Sequence, residues 1–539
     1  KSRSAPLEDL AHHVATAAEL HKELGTVDGL PPFLRDHAIE LLTDAADKAL
    51  TGGSLRMAMR HTSRAIDLLG NERPADLAHL LTVRGNAAVE QRDFRAATRD
   101  IAALAQLGER LNDATITAES HRMRGMMGNA AGRIDDARAE LGEAIALLRN
   151  TDRRDLLANA LRQRGFVEMF VGSLSDAEWF FGEADQIFHD LADERGMAYI
   201  EQHRAWLSFN AANYDEARSR LEHAASTLER LGDRGGVGWA NGLLAVIEFF
   251  ERNFERAAEL ADLVTRAADA RSDQWAVAMM DTLRANLALW QGRLDDAANF
   301  AERARNRMRR LDDRFGLVQS LVPLMRAQVA LGRTAAAQRT SEEVLALAAG
   351  GRQDLFPILA AAGAAMHRGS IGGALDISEQ ALQRARELGM QMSEPVVVMA
   401  MLQAQAGRPD DALATITSLD HHALQHPFAA AVASLIHTVN YMPDEALQCA
   451  RPTEAAGASY LDHVIASVAA AGAHAQLGHL DDAEAAATEA VSSATSVGDV
   501  PATALATAAY ALVTGRRHPA HDDRATLGEG WATVLELLR

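Results

Sequence analysis

A six-residue phrase, GRIDDA at 132–137, returns with small edits as GSLSDA at 172, GRLDDA at 292, GRPDDA at 407 and GHLDDA at 478. Aligned on its final small residue, the series runs Ala58, Ala97, Ala137, Ala177, Ala217, Ala257, Ala297 and Ala337, one step of 39 followed by six of 40. It continues more loosely through Ala374, Ala412, Ala446 and Ala483 to Ala520. Self-similarity at a period of roughly 20–50 residues marks a solenoid, in which each unit buries its apolar face only against its neighbours.

Each unit reads as two helices. Twelve residues before the marker stands another small residue: Ala46, Gly85, Gly125, Gly165, Ala205, Ala245, Ala285, Ala362, Ala400, Ser434, Ala471 and Ala508, with Met325 the exception. Seven residues after the marker, Ala recurs at 65, 144, 184, 224, 304, 381 and 490, two turns further along the same helical face. Small residues at fixed places on two antiparallel helices let the backbones approach closely. The Gly that opens the phrase suits a left-handed turn, and the Asp after it is expected to cap the next helix. GRIDDA is then the hinge of a helical hairpin.

This pattern, a small residue, then a turn of the form G-x-φ-x-x-A, then Ala seven on, resembles the tetratricopeptide repeat (TPR). The 40-residue step and the joints LADERGMAYI, LGDRGGVGWA and LDDRFGLVQS resemble the longer-helix variety found in the sensor regions of bacterial MalT-like and other STAND ATPase regulators. The resemblance implies an all-α, right-handed superhelical solenoid of about thirteen hairpins. Departures are the step, 40 rather than the usual ~34, and the scarcity of the consensus aromatic and Pro positions. Residues 1–36, containing LEDLAHHVATAAEL and the break GTVDGLPPF, read as an N-terminal helical joint; 37–350 carry the regular repeats; 351–515 carry shorter, less regular ones; and 516–539 read as a capping helix.

Composition removes several functions. The three lysines are Lys1, Lys22 and Lys48, so no Walker A lysine follows a glycine-rich turn. A kinase-type strand lysine and a Schiff-base lysine are excluded after Lys48 on the same ground. Cys449 is the single cysteine, which rules out an internal disulfide and a cysteine zinc site and fits a cytoplasmic setting. A net charge of −20 argues against direct binding of nucleic acid. No stretch approaches the ~20 apolar residues of a membrane span, and the N-terminus lacks the apolar segment of a signal peptide. The sequence starts with Lys rather than Met, which reads as part of a larger or processed protein.

The inner face of a TPR superhelix is lined by the first helix of each unit. Carried over by offset from the marker, the resemblance places there Asn159, Arg162, Phe166 and Met169, then Tyr199, Gln202, Trp206 and Phe209, then Trp239 and Phe249, and Asn286. Of the 26 aromatic residues, 17 fall between Leu161 and Phe300. A groove centred on Phe166, Trp206 and Trp239, with Arg162 and Gln202 as polar anchors, would offer stacking area plus hydrogen bonding; core packing is the competing account of the same aromatics. The Arg303, Arg307, Arg310 stripe could grip an acidic partner, although basic residues at a helix C-terminus also simply favour the dipole. His422 and His426 stand four apart but lack any other ligand nearby, and GGVGWANG at 235–242 follows no strand, so no metal, cofactor or catalytic residue is expected. The sequence therefore reads as a non-catalytic sensor or scaffold region. It would bind a protein, a peptide or a small-molecule effector and regulate an ATPase, transcription-factor or nucleotide-cyclase module elsewhere in a larger bacterial signalling protein, with self-association left open. The alternative is a free-standing protein–protein adaptor.

Overall fold

The computed structural model describes residues 6–25, 31, 33–70, 72–171, 174–349, 360–363, 365, 369–388, 393–451, 457–520 and 527–539. The first helix of the ninth unit, the Gly/Pro break before Phe33 and Pro452 fall largely or wholly outside them. Among the described residues every regular element is helical, and consecutive helices pack as antiparallel pairs. The regular hairpins run from Leu34–Thr51 with Leu55–Leu69 to Arg314–Ala330 with Thr334–Ala349. Later ones are shorter, for instance Ser393–Gln405 with Pro409–Ile416 and Pro427–Val439 with Pro443–Ala450. The chain folds as a TPR-like helical solenoid.

The marker alanines explain their own recurrence. Ala58, Ala97, Ala137, Ala177, Ala217, Ala257 and Ala297 are all fully buried where the second helix meets the first. Their small partners admit nothing larger: a Cβ added at Gly165 would stand 2.5 Å from the Phe181 ring, and one at Gly125 would stand 2.6 Å from Leu141. Ala520 departs from the series. It lies in a turn after the helix Val500–Thr514.

The capping expectation needs correction. In GRIDDA the N-cap is Arg133, without a side-chain cap, while Asp135 and Asp136 sit in the first helical turn, where they meet the positive end of the dipole. The capping aspartates stand instead at the joints between units. Asp193, Asp233, Asp273 and Asp313 each accept a hydrogen bond from the backbone N–H three residues on. At the Arg133 position of other hairpin turns, Asp93 and Asn213 do cap, whereas Asn253 does not.

Contacts also reach well beyond neighbours. The turn of one hairpin rests on a joint about five hairpins further along. Gly53 lies against Arg271 and Gly235, Gly132 against Arg314, Gly292 against Tyr460 and Val497, and Gly332 against Val500. Arg92 pairs with Asp313 at 2.7 Å, and Arg252 donates to His426 Nε2 at 3.0 Å, 174 residues away. Successive coils of the solenoid therefore touch. The last helix, Glu529–Leu537, turns back: Gly530 packs on Gln405 and Leu538 on Gly472, and Val534, Leu535 and Leu538 join the core of units several hairpins earlier.

Candidate binding groove

Because the coils stack, the C-terminal end of an early first helix faces the N-terminal ends of later ones. Glu90 closes the helix Pro74–Glu90 and is open to water, yet it faces Asp273, Asp233 and Arg162 from later units. The protein around it, and then the two aspartates, push its carboxyl up to about 7. Among the described residues no carboxylate lies within ion-pair distance of Arg162, in the helix Arg154–Val171. Its guanidinium lies over the Tyr199 ring at 4.9 Å, its Nε is buried without a hydrogen-bond partner, and burial holds its pKa below the ordinary arginine value. Tyr199 donates to Asp233 Oδ2 at 3.1 Å, Asp233 Oδ1 caps its own helix through Gly236, and Arg195 approaches the same carboxylate at 3.4 Å.

Beneath this polar layer lies His203, buried and flanked by the rings of Phe166 at 5.0 Å, Phe181 at 5.3 Å and Trp239 at 5.9 Å. Burial, and then the charge of Arg162, hold it well below the usual histidine value, so the imidazole is neutral at pH 7.

The structure brings the predicted groove residues together unevenly. Arg162 and Tyr199 pack together, guanidinium over ring. Phe166, Trp206 and Trp239 are each half-buried: Phe166 and Trp206 pack on the core of units four and five, and Trp206 and Trp239 pack on the core of units five and six. Phe209 lies tilted against Trp206 at 5.5 Å and Phe249 lies 6.2 Å from Trp290, both phenylalanines on the same core. Two expectations are corrected. Met169 is fully buried, and Gln202 is spent on the Gly236 carbonyl at 2.6 Å, so neither offers a surface to a ligand. Asn159 and Asn286 bond to carbonyls of their own helices.

Sequence reading missed Glu90, Asp233, Asp273, Arg195 and His203. The aspartates carried a signal, since Asp193, Asp233, Asp273 and Asp313 recur at the repeat step. Glu90 carried none, because its importance comes from a coil contact.

Other motifs find ordinary roles. Arg303 and Arg307 both pair with the buried Asp281, and His426 accepts from Arg252 instead of pairing with His422. A cavity of about 320 Å³ lined by Arg138, Arg164, Glu168, Asp176, Trp179 and Phe180 has both its arginines already paired with Glu168. No described helix is long and apolar enough to cross a membrane.

No family model matches the sequence, and no curated protein matches it significantly. Solved structures do match the fold. A Rap protein complexed with competence and sporulation factor aligns over 66% of this chain and 99% of its own, at 12% identity and a TM-score of 0.50. Cut9, from the anaphase-promoting-complex hetero-tetramer Cut9–Hcn1, aligns over 95% of this chain and 97% of its own, also at 12% identity and 0.50. A STAND protein with a tetratricopeptide repeat sensor from Pyrococcus horikoshii aligns over 70% of this chain at a TM-score of 0.38, too low to carry an argument. These likenesses show the fold alone.

Proposed function

We propose that this chain is a non-catalytic binding region that captures a protein or peptide segment on the inner face of units two to seven and relays that occupancy to an output module in a larger signalling protein. The observation that carries the reading is Arg162. A guanidinium held among protein groups with an aromatic face but no carboxylate is an incomplete interaction, and a ligand carboxylate would complete it. Glu90, facing it across the coils, gives the same surface a place for a ligand amine. Two proteins of similar fold are seen in complexes with partners, which supports the class of ligand without identifying it.

The test is selection from a peptide display library on the full chain, followed by rebinding to Arg162→Ala. Ligands of the inner face lose at least about tenfold in affinity, since a hydrogen bond to a charged group contributes about 1.5–3 kcal/mol. Peptides that bind wild type and variant equally would place recognition elsewhere.

A further inference from the structure

Three of the five copies of the repeated turn phrase carry an internal ion pair; GSLSDA, with Ser173 at the second position, and GHLDDA do not. In GRIDDA, GRLDDA and GRPDDA the arginine at the second position bridges the aspartate three residues on: Arg133 to Asp136 at 3.4 Å, Arg293 to Asp296 at 2.8 Å and Arg408 to Asp411 at 2.6 Å. The copy at 478–483 reads GHLDDA. There His479 takes the arginine's place, Asp482 takes the aspartate's, and the cation is gone.

A second histidine has come with the exchange. His474 lies in the last turn of Tyr460–Gln476, where the corresponding residues of the three arginine copies are Gly128, Ala288 and Gln403. Gly478 takes φ +78° and the His479 N–H donates to the His474 carbonyl at 2.9 Å, so the hairpin turn itself fixes the two histidines side by side. Their ring centroids are 6.1 Å apart. One ligand atom from each of His474, His479 and Asp482 lies within 4.8 Å of the others. His474 Nδ1 is buried and has no hydrogen-bond partner among the described residues.

We infer that His474, His479 and Asp482 form a site for a divalent transition-metal ion, the ion supplying the positive charge that arginine supplies in the GRIDDA, GRLDDA and GRPDDA turns. Two imidazoles and a carboxylate suit zinc, cobalt or nickel, borderline ions that take nitrogen and oxygen ligands. Ligands about 2.0–2.2 Å from such an ion lie within roughly 4 Å of each other, a side-chain rotation from the present arrangement. Three protein ligands leave a fourth coordination position for water or for a side chain of a bound partner. The site stands apart from the inner face of units two to seven and does not depend on that reading.

Cobalt(II) and zinc(II) titrations of the full chain test it. Wild type takes one equivalent with the visible absorption of tetrahedral or five-coordinate cobalt, and zinc displaces it. His479→Arg, which rewrites the turn as the arginine copies have it, loses at least about tenfold in affinity and melts no lower than the metal-free wild type. His474→Gln, outside the turn, loses binding likewise and guards against a folding defect in the first variant. Wild type without a cobalt spectrum, or variants that bind as wild type does, would overturn the assignment.

Discussion

Arg92 holds Asp313 at 2.7 Å across two coils of the solenoid, with both side chains largely removed from solvent. Arg92 stands in the left-handed region at φ +61° in the turn of the second hairpin, and Asp313 caps the eighth hairpin's first helix through Gly316 while accepting from Trp275 Nε1 at 2.9 Å. One carboxylate thus serves a cap, an aromatic donor and a distant guanidinium. Breaking such a buried pair from one side leaves a charge uncompensated. Arg92→Ala should therefore lower stability by about 3 kcal/mol in urea unfolding, and Arg92→Ala/Asp313→Asn should lose less than the two single changes summed. Strict additivity would mean that the coils touch without coupling.

Gly165 reverses the usual rule for helical glycine. In an exposed helix Gly→Ala stabilises by about 1 kcal/mol. At Gly165 the new methyl would meet the Phe181 ring at 2.5 Å and the Ala177 carbonyl at 3.1 Å, neither of which can yield. Gly165→Ala should destabilise by about 1–3 kcal/mol. Gly85→Ala meets mainly the flexible end of Met123 and should cost less. Thermal melts of the two variants side by side give the order, and equal losses would contradict the packing described.

Tyr199 and Tyr460 share one device. Each donates to the Oδ2 of the next unit's capping aspartate, Asp233 and Asp499, whose Oδ1 is occupied by the cap. Tyr199→Phe should cost about 1 kcal/mol, the net value of one hydrogen bond. Asp233→Ala should cost more, since it removes the cap as well. Calorimetry that ranks the two the other way would refute the double role.

Glu90 gives the fold a pH dependence with a definite sign. Its carboxyl sits near 7 in the folded chain, raised first by the protein around it and next by Asp273 and Asp233, against an ordinary value of 4.5. An acid whose pKa is raised by folding favours the folded state while it is protonated. Its contribution is full below about 4.5 and is lost as pH rises through about 7. Comparing urea midpoints of wild type and Glu90→Gln from pH 5 to 7.5 should show the wild type falling relative to the variant across that window. Parallel curves would show that Glu90 does not titrate there.

The hairpins were legible because close packing writes itself into local sequence. A helix pair that admits only Ala or Gly at its crossing must repeat that choice in each unit, and Ala137 with Gly125, or Ala177 with Gly165, does so. The coil contacts were not legible, since Arg92 and Asp313 belong to no common period. The role of Asp135 was misjudged because a cap and a first-turn carboxylate look alike in sequence; only the backbone at Arg133 distinguishes them. An offset rule groups Arg162 with Tyr199, which do pack together, but it cannot see that Gln202 is spent on Gly236 or that Met169 is enclosed.

Open solenoids grow by duplication at little cost, because a new unit has to satisfy only the two beside it. Here a duplication within the array would re-pair each of the roughly five turns just before it with a different joint. Arg92 would meet the region of Asp273 in place of Asp313, and Arg252 would lose His426. Each such event is tested around a whole ring of contacts at once. Copy number in this chain is therefore held fixed from within, and a change in length is tolerated best near the ends, where fewer coils lie beyond.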